Sequence, residues 1–157
     1  MSVPQSPLED LIRALTLESR GQNLAGEDVF EGPSQWMPHG RVFGGQVLAQ
    51  SLMAAQHTIE TEVRTVHSMH GYFLRPGDPA AGITFSVDRI HDGRSFSTRR
   101  TQAFQAGVPI FSMIASFQDE DLGVEHAEAM PTGRARTTAK MVPRLAMCSV
   151  STRASCT

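Results

Sequence analysis

The stretch Arg41-Val-Phe-Gly-Gly-Gln-Val-Leu-Ala-Gln-Ser-Leu-Met-Ala-Ala-Gln56 determines how the rest of the chain is interpreted. Two adjacent glycines, which are poor helix formers, precede residues that otherwise favour a helix. No Asp, Glu, Lys or Arg occurs between Arg41 and Glu60. Small and apolar side chains occupy nearly the whole circumference of the predicted helix, which runs from about Gly45 to His57. Such a helix has almost no solvated face, so we expect it to be buried on nearly all sides.

Downstream of this helix the apolar pattern changes to a period of two, which predicts strands. Ile83, Phe85 and Val87 alternate with polar residues, so one face of the predicted sheet is apolar. Short turn signals between segments predict hairpins and therefore antiparallel pairing. The predicted strands are Val63 to Leu74, Ile83 to His91, Arg94 to Gln105 and Val108 to Gln118. The sequence thus predicts an α+β fold in which an antiparallel sheet wraps around the central helix.

The N-terminal segment has its own helix signals. Ser6 is a suitable cap, Pro7 follows at the first helical position, and apolar residues recur at 8, 11, 12 and 15. These features predict a short amphipathic helix. The next segment, Leu17 to Glu31, is polar and contains glycine, so a strand with a turn and a plain loop both remain open.

Charge and composition limit the function. The chain has 157 residues, which suits one domain, and its net charge of -2 argues against nucleic acid as a partner. All sixteen acidic residues lie at or before Glu128, whereas the segment from Pro131 onward has five basic residues and no acid. We therefore predict a folded domain over 1–130 and a basic tail over 131–157 that is disordered or translated out of frame.

The sequence also predicts what kind of protein this is not. Both cysteines, Cys148 and Cys156, fall in the predicted tail, and no cofactor or metal motif occurs, so we expect no cofactor and no bound metal. The N-terminus does not resemble a signal peptide, and no apolar run has the length of a membrane span. A soluble cytoplasmic protein is the expectation.

Several stretches, in order and at matching spacing, resemble the acyl-CoA thioesterase II family, whose chains are two hotdog domains in tandem. The resemblance covers roughly Leu8 to Pro131. It is carried by Arg41-Val-Phe-Gly-Gly-Gln-Val-Leu-Ala-Gln50, Val66-His-Ser-Met-His-Gly-Tyr-Phe-Leu-Arg-Pro-Gly-Asp78, Arg89-Ile-His-Asp-Gly-Arg-Ser-Phe-Ser-Thr-Arg-Arg100 and Pro109-Ile-Phe-Ser-Met-Ile-Ala-Ser-Phe-Gln118.

The resemblance implies a hotdog fold, an acyl-CoA substrate, and hydrolysis of its thioester to a free acid and coenzyme A. It implies that the residues holding the attacking water, an Asp, a Thr or Ser, and a Gln, belong to a second hotdog that this sequence does not match. The expected partner is therefore a second hotdog domain or another copy of the chain, and the chain alone is expected to have little or no activity.

Three candidate binding residues lie at the start of the central helix. A helix N-terminus presents unpaired amides, and Gly44 and Gly45 would let a thioester carbonyl approach them closely. These glycines could equally serve only a tight turn and close packing. Gln46 could bind a substrate carbonyl, although a bond to backbone is commoner for a buried amide.

Further candidates lie on the predicted strands and turns. His70 could act alone on the substrate; His67, three residues before it, is predicted to point to the opposite face of the strand, which argues against a shared metal. Arg75 and Arg94 are candidates for the phosphates of coenzyme A, because both stand at turns and arginine favours phosphate contacts.

Two other functions remain open at this stage. One is a hotdog module that binds acyl-CoA or pairs with a partner subunit without catalysis. The other is an acyl-CoA hydratase or dehydratase, which ranks last because such sites typically need an Asp and a His at the helix N-terminus, where this sequence has Gly44-Gly-Gln46.

Overall fold

The computed structural model describes residues 6–61, 64–120, 123–124 and 126–130. The chain divides into two units, 1–122 and 123–157. In the second unit the described residues form neither helix nor strand, and the predicted tail over 131–157 lies outside the described residues. The elements of the first unit are α1 (Pro7–Leu15), β1 (Glu18–Gln22), β2 (Asp28–Gly32), α2 (Gly44–Gln56), β3 (Thr65–Phe73), β4 (Ile83–Asp92), β5 (Phe96–Gln105) and β6 (Val108–Gln118).

The strands form one sheet in the order β1-β2-β4-β5-β6-β3, and every neighbouring pair is antiparallel. The strand predicted to begin at Arg94 begins at Phe96, and the one predicted to begin at Val63 is described from Thr65. The segment after α1, for which a loop was an alternative, forms the hairpin β1–β2. None of the helices in the described part of the chain is long and apolar enough to cross a membrane.

Helix α2 packs on one face of the sheet, and this confirms the α+β architecture of a sheet curved around a central helix. Val47, Ala54 and Ala55 of α2 belong to the same buried cluster as Phe85 and Phe111 of the sheet. Small side chains on α2 allow this close approach. The prediction that α2 is buried on nearly all sides is wrong in part: Gly45 is exposed, and Leu48, Ala49, Leu52 and Met53 are only half buried, with Leu48 and Leu52 packed against the core.

The two end strands of the sheet are β1 and β3, and all residues of both are exposed. Each carries a β-bulge, between Ser19 and Gly21 in β1 and between Val66 and Ser68 in β3. The outer edge of β3 therefore presents backbone groups that no strand of the described chain pairs.

Two buried arginines hold the end of the sheet next to the C-terminus of α2. Arg99 is 1% exposed, and all five of its N–H groups are bonded. Its Nε donates to Thr58 Oγ1 at 2.7 Å, and Nη2 donates to Thr58 O at 3.2 Å and to Asp92 Oδ1 at 2.7 Å. Arg64 likewise binds Asp119 through Nε at 2.9 Å and Ser97 Oγ through Nη1 at 2.7 Å. These bonds attach the end of α2 to the β4–β5 hairpin.

Candidate functional site

The N-terminus of α2 is open. Phe43 is its N-cap residue, no side chain of the described residues caps it, and its first turn contains no acid. The first amides of a helix have no partner within the helix, and the helix dipole makes this end electropositive. The amides of Gly44 and Gly45 are therefore placed to receive a carbonyl oxygen or an anion.

Neither glycine has a positive φ, so the backbone conformation does not require glycine here. Instead, aromatic rings occupy the space of the missing side chains. A Cβ on Gly44 would lie 3.1 Å from Cε1 of Phe73, and a Cβ on Gly45 would lie 2.5 Å from Cε1 of Phe43. Both rings are more than half exposed. The glycine pair thus allows two rings to flank the helix N-terminus.

A cavity of about 330 Å³ lies beside Gly44. Its lining includes the apolar side chains of Val47, Phe73 and Ile110, with Arg41 and Arg75 among the remaining residues. The guanidinium of Arg75 donates to the carbonyl of Pro109 at 2.8 Å. The cavity therefore combines an apolar surface with two cationic side chains next to the first amides of α2.

The segment before α2 is held in place from the β3–β4 connection. The amide of Val42 donates to the carbonyl of Gly77 at 2.9 Å. Nearby, Gln105 accepts from the amide of Asp78 at 2.8 Å and donates to the carbonyls of Asp78 and Ala81, both at 2.9 Å. These bonds fix the position of the α2 N-terminus relative to Arg75.

A larger cavity of about 600 Å³ lies elsewhere, between α1 and the start of β4. Its lining includes Arg20, Glu18 and Glu31, and Arg20 is ion-paired with both glutamates, at 2.9 and 2.7 Å. Hydrogen bonding to Glu31 and the charges of both glutamates raise the pKa of Arg20. This cavity is a poorer candidate for an anionic substrate, because the charge of Arg20 is already paired with two glutamates of the protein.

Gln46 and Gln50 are buried and bonded to the backbone of other segments. Gln46 Nε2 donates to the Pro33 carbonyl at 2.8 Å, and its Oε1 accepts from the Gln35 amide at 3.3 Å. Gln50 Nε2 donates to the carbonyls of Ala14 at 2.7 Å and Pro33 at 2.9 Å. A substrate could bind Gln46 only by replacing these bonds, so the predicted role of Gln46 stays a prediction with a clear competing role.

His70 and Arg94 lie away from the cavity. His70 pairs with Ile114 on the outer face of the sheet, opposite α2, and its ring lies 4.7 Å from that of Tyr72. Arg94 stands in the β4–β5 hairpin, where its carbonyl accepts from Arg64 at 2.9 Å. This hairpin is at the other end of α2, a helix about 20 Å long. Of the predicted residues, the structure brings together Gly44 and Arg75 at the cavity, with Gly45 next to them in α2.

The prediction that His67 and His70 point to opposite faces is wrong. The bulge in β3 adds a residue between Val66 and Ser68, which breaks the alternation. The ring of His67 consequently lies against Phe96, with 6.0 Å between centroids, on the outer face that also carries His70. No group of three or more potential metal ligands occurs among the described residues.

The cavity at α2 can polarise a carbonyl and bind an anion. Its lining residues include no carboxylate and no histidine, so they supply no general base for a water molecule. Sequence reasoning missed Arg41, Phe43 and Phe73. Arg41 and Phe43 stand shortly before the glycine pair in the sequence and could have been considered with it. The position of Phe73 depends on how β3 packs across α2.

The chain is similar in sequence and in structure to proteins named acyl-CoA thioesterases. Acyl-coenzyme A thioesterase 8 of Homo sapiens is 44% identical over 145 residues, which are 84% of this chain and 45% of that protein. Acyl-CoA thioesterase 2 of Haemophilus influenzae is 40% identical over 124 residues, 79% of this chain and 41% of that protein. The crystal structure of acyl-CoA thioesterase II TesB2 of Mycobacterium marinum superposes with a TM-score of 0.63 at 40% identity, covering 80% of this chain and 44% of that one.

The chain therefore spans less than half the length of these relatives. A family model described as the acyl-CoA thioesterase N-terminal domain matches residues 32–118. That range contains α2, the β3 edge and the β4–β6 meander, which are the elements that build the cavity. Because the match covers more than half of the chain, the protein belongs to the acyl-CoA thioesterase II family and corresponds to the N-terminal hotdog of its members.

Proposed function

We propose that this chain is the N-terminal hotdog of an enzyme that hydrolyses acyl-CoA to a free acid and coenzyme A. The observation that carries the proposal is the uncapped N-terminus of α2, which opens on an apolar cavity flanked by Arg41 and Arg75. The names of the relatives support acyl-CoA as the substrate class.

In the proposed reaction, water attacks the thioester carbon and negative charge develops on the carbonyl oxygen. The amides of Gly44 and Gly45 would stabilise this charge because they are already oriented before the reaction. The apolar lining would receive the acyl or pantetheine part, and the guanidinium groups would attract the phosphates.

Activation of the water is assigned to residues outside this chain. A general base contributes roughly 10²–10⁴-fold to such a reaction, and the lining of this cavity has no group for that role. We propose that a second hotdog provides it, and that this partner, or a second copy, adds to the sheet at the open edge of β3. A place in fatty acid metabolism in the cytoplasm is part of the same proposal.

Acyl-CoA binding can be tested on the chain by itself. Calorimetric titration with a medium-chain acyl-CoA is expected to show binding that Arg75→Gln weakens about tenfold, the loss of one charge-assisted contact. Arg20→Gln is the matched control, since Arg20 is an exposed, ion-paired arginine that does not line the cavity at the α2 N-terminus. Equal affinity in both variants and the parent chain would contradict this assignment of the site.

Hydrolysis is tested by thiol release. We expect little or no turnover by this chain alone and substantial turnover when a second hotdog is joined to it. Comparable rates with and without the second hotdog would contradict the division of roles.

A non-catalytic module that binds acyl-CoA is the second candidate function. The lack of carboxylate and histidine in the cavity lining favours it. In that case acyl-CoA would bind, but joining a second hotdog would produce no turnover at this cavity.

A further inference from the structure

Gln105 lies at the end of β5 and binds the connection between β3 and β4 with its whole carboxamide. Its Oε1 accepts from the amide of Asp78 at 2.8 Å, and its Nε2 donates to the carbonyls of Asp78 and Ala81, both at 2.9 Å. The side chain thus pairs with the backbone of Asp78 through one acceptor and one donor, as a neighbouring strand would. Gln105 is 9% exposed and does not line the cavity at the α2 N-terminus.

Gly77, which precedes Asp78, lies against both Gln105 and the segment before α2. A Cβ on Gly77 would lie 3.2 Å from Oε1 of Gln105 and 3.1 Å from Cγ2 of Val42. The carbonyl of Gly77 also accepts from the amide of Val42 at 2.9 Å. Because glycine has no side chain, Gln105 and Val42 can both approach its backbone. The position that Gln105 gives to this connection is therefore passed on to a residue two before Gly44.

The cavity takes its walls from the two segments that Gln105 connects in this way. One wall comes from the chain entering α2 and includes Arg41, Val42 and Gly44; the other comes from residues 74–77. At the β3 end, the carbonyl of Ile110 accepts from the amides of Leu74 at 2.9 Å and Arg75 at 3.2 Å. Arg75 therefore stands on a short span that is held at Ile110 on one side and at Gln105 on the other.

We propose that Gln105 is a positioning residue for acyl-CoA at this cavity, an inference that rests on the proposed function. Gln105 acts through Asp78 and Gly77 and sets the separation between Arg75 and the first amides of α2. A cation and amide donors on two segments bind one substrate well only if their separation is set beforehand, because ordering them on binding reduces the affinity. Loss of the Gln105 bonds therefore weakens binding without removing any group that lines the cavity.

A purely structural role for Gln105 would have a different result, and Gln50 shows what to expect of it. Gln50 is fully buried, and its Nε2 donates to the carbonyls of Ala14 at 2.7 Å and Pro33 at 2.9 Å. Neither Gln50 nor these partners line the cavity. Gln50→Met therefore removes bonds of the same kind as Gln105→Met, and it should lower stability while leaving the affinity of the folded protein unchanged.

Calorimetric titration of the full chain with a medium-chain acyl-CoA tests the proposal. Gln105→Met is expected to weaken binding roughly threefold to tenfold, whereas Gln50→Met should bind like the parent chain. Gly77→Ala crowds Val42 and Gln105 without removing a hydrogen-bonding group, and it should weaken binding as well. Melting curves set a temperature at which every variant is folded. A folded Gln105→Met protein with the affinity of the parent chain would overturn the proposal.

A double-mutant cycle tests whether Gln105 acts through Arg75. Once Arg75→Gln has removed the guanidinium, Gln105→Met should cost less affinity than it does in the parent chain. Gln50→Met combined with Arg75→Gln should instead show only the loss caused by Arg75→Gln. Fully additive losses for Gln105→Met and Arg75→Gln would overturn this route of action.

A measurement without ligand separates this inference from the proposed function. Hydrogen exchange at the amide of Val42, which donates to Gly77, should become about tenfold faster in Gln105→Met and stay unchanged in Gln50→Met. A parent chain that does not bind acyl-CoA would overturn the proposed function and this role together. A parent chain that binds, with unchanged affinity and unchanged Val42 exchange in Gln105→Met, would overturn the role of Gln105 alone.

Discussion

At the scale of the residue, Arg99 shows how the environment decides the role of a side chain. Arg99 and Arg100 are neighbours in β5, so their side chains lie on opposite faces of the sheet. Arg99 is buried and binds Thr58, His91, Thr98 and Asp92, whereas Arg100 is exposed and pairs with Asp88 at 3.0 Å. A buried cation is tolerated only when its hydrogen bonds are satisfied.

We expect Arg99→Met to lower the free energy of unfolding by about 3 kcal/mol or more, because it leaves polar partners of Arg99 unpaired in the interior. Arg100→Met, the matched control, should cost less than about 1 kcal/mol, as exposed ion pairs contribute little. Denaturant unfolding of both variants measures the difference. Similar losses in the two variants would contradict the role given to Arg99.

The pH dependence of stability follows from Glu27. Hydrogen bonds from Ser86 and Asn23 lower the pKa of this carboxyl, outweighing the opposing effect of burial. A carboxyl whose pKa is lower in the folded state stabilises the protein above its unfolded pKa of about 4.3. This stability is lost as the pH falls through the folded pKa. The free energy of unfolding, measured by denaturant between neutral pH and pH of about 3, should fall as the pH is lowered. Ser86→Ala should make this fall smaller, because it removes one of the hydrogen bonds that lower the pKa of Glu27.

At the scale of the element, the β5–β6 hairpin carries local strain. Ala106 has a φ of 47° and Gly107 a φ of 76°. Positive φ at both central residues is typical of a type I′ turn, which favours Asn-Gly. The sequence signal Gln105-Ala-Gly107 predicted this hairpin correctly, although alanine is a poor residue for its first position.

Ala106→Asn is expected to raise the free energy of unfolding by roughly 0.5–1 kcal/mol, because asparagine tolerates this conformation better than alanine. Ala106 is exposed, so core packing should not change. Ala106→Val is the contrasting variant and should destabilise the protein, since a branched side chain is strained at positive φ. Thermal melting should rank Ala106→Asn above the parent chain and Ala106→Val below it. A melting temperature of Ala106→Asn below that of the parent chain would contradict the prediction.

The elements differ in how far sequence could predict them. Helix α2 and strands β4 to β6 were predicted well because their apolar periodicity is long and their turns are marked. The bulge in β3 was not predicted, since an inserted residue leaves no local signal, and with it the common face of His67 and His70 was missed. Of the residues at the candidate site, Gly44, Gly45 and Arg75 could be proposed from sequence, and their roles stay predictions; the partners of Gln46 at Pro33 and Gln35 depend on tertiary packing and could not be foreseen.

At the scale of the whole molecule, the open edge of β3 and the exposed apolar side chains of α1 indicate a subunit with surfaces to cover. Met69 lies on the α2 side of β3, opposite Ala115 of β6, and is 40% exposed. If a second hotdog or a second copy pairs at β3, this side chain becomes buried. We therefore expect the chain to self-associate through this edge.

We expect Met69→Lys to reduce self-association at the β3 edge, because burial of a lysine without a partner is costly. Val108→Lys is the matched control: Val108 is 45% exposed but lies at the β5–β6 hairpin, away from the β3 edge. Sedimentation of the two variants at equal concentration measures the effect. A parent chain that stays monomeric at tens of micromolar, roughly the range of weak dimers, would contradict the prediction.

The bulges in β1 and β3 have a consequence for how such a chain can polymerise. A sheet with two straight, free edges can add one copy after another and grow into a ribbon without end. Here an extra residue interrupts the hydrogen-bond repeat in both edge strands, at Ser19–Gly21 and at Val66–Ser68. In β3 only the run from Ser68 to Phe73 is free of the bulge, so an added strand can pair regularly only along this short run. We therefore expect edge pairing to stop at a closed pair rather than to continue as a ribbon.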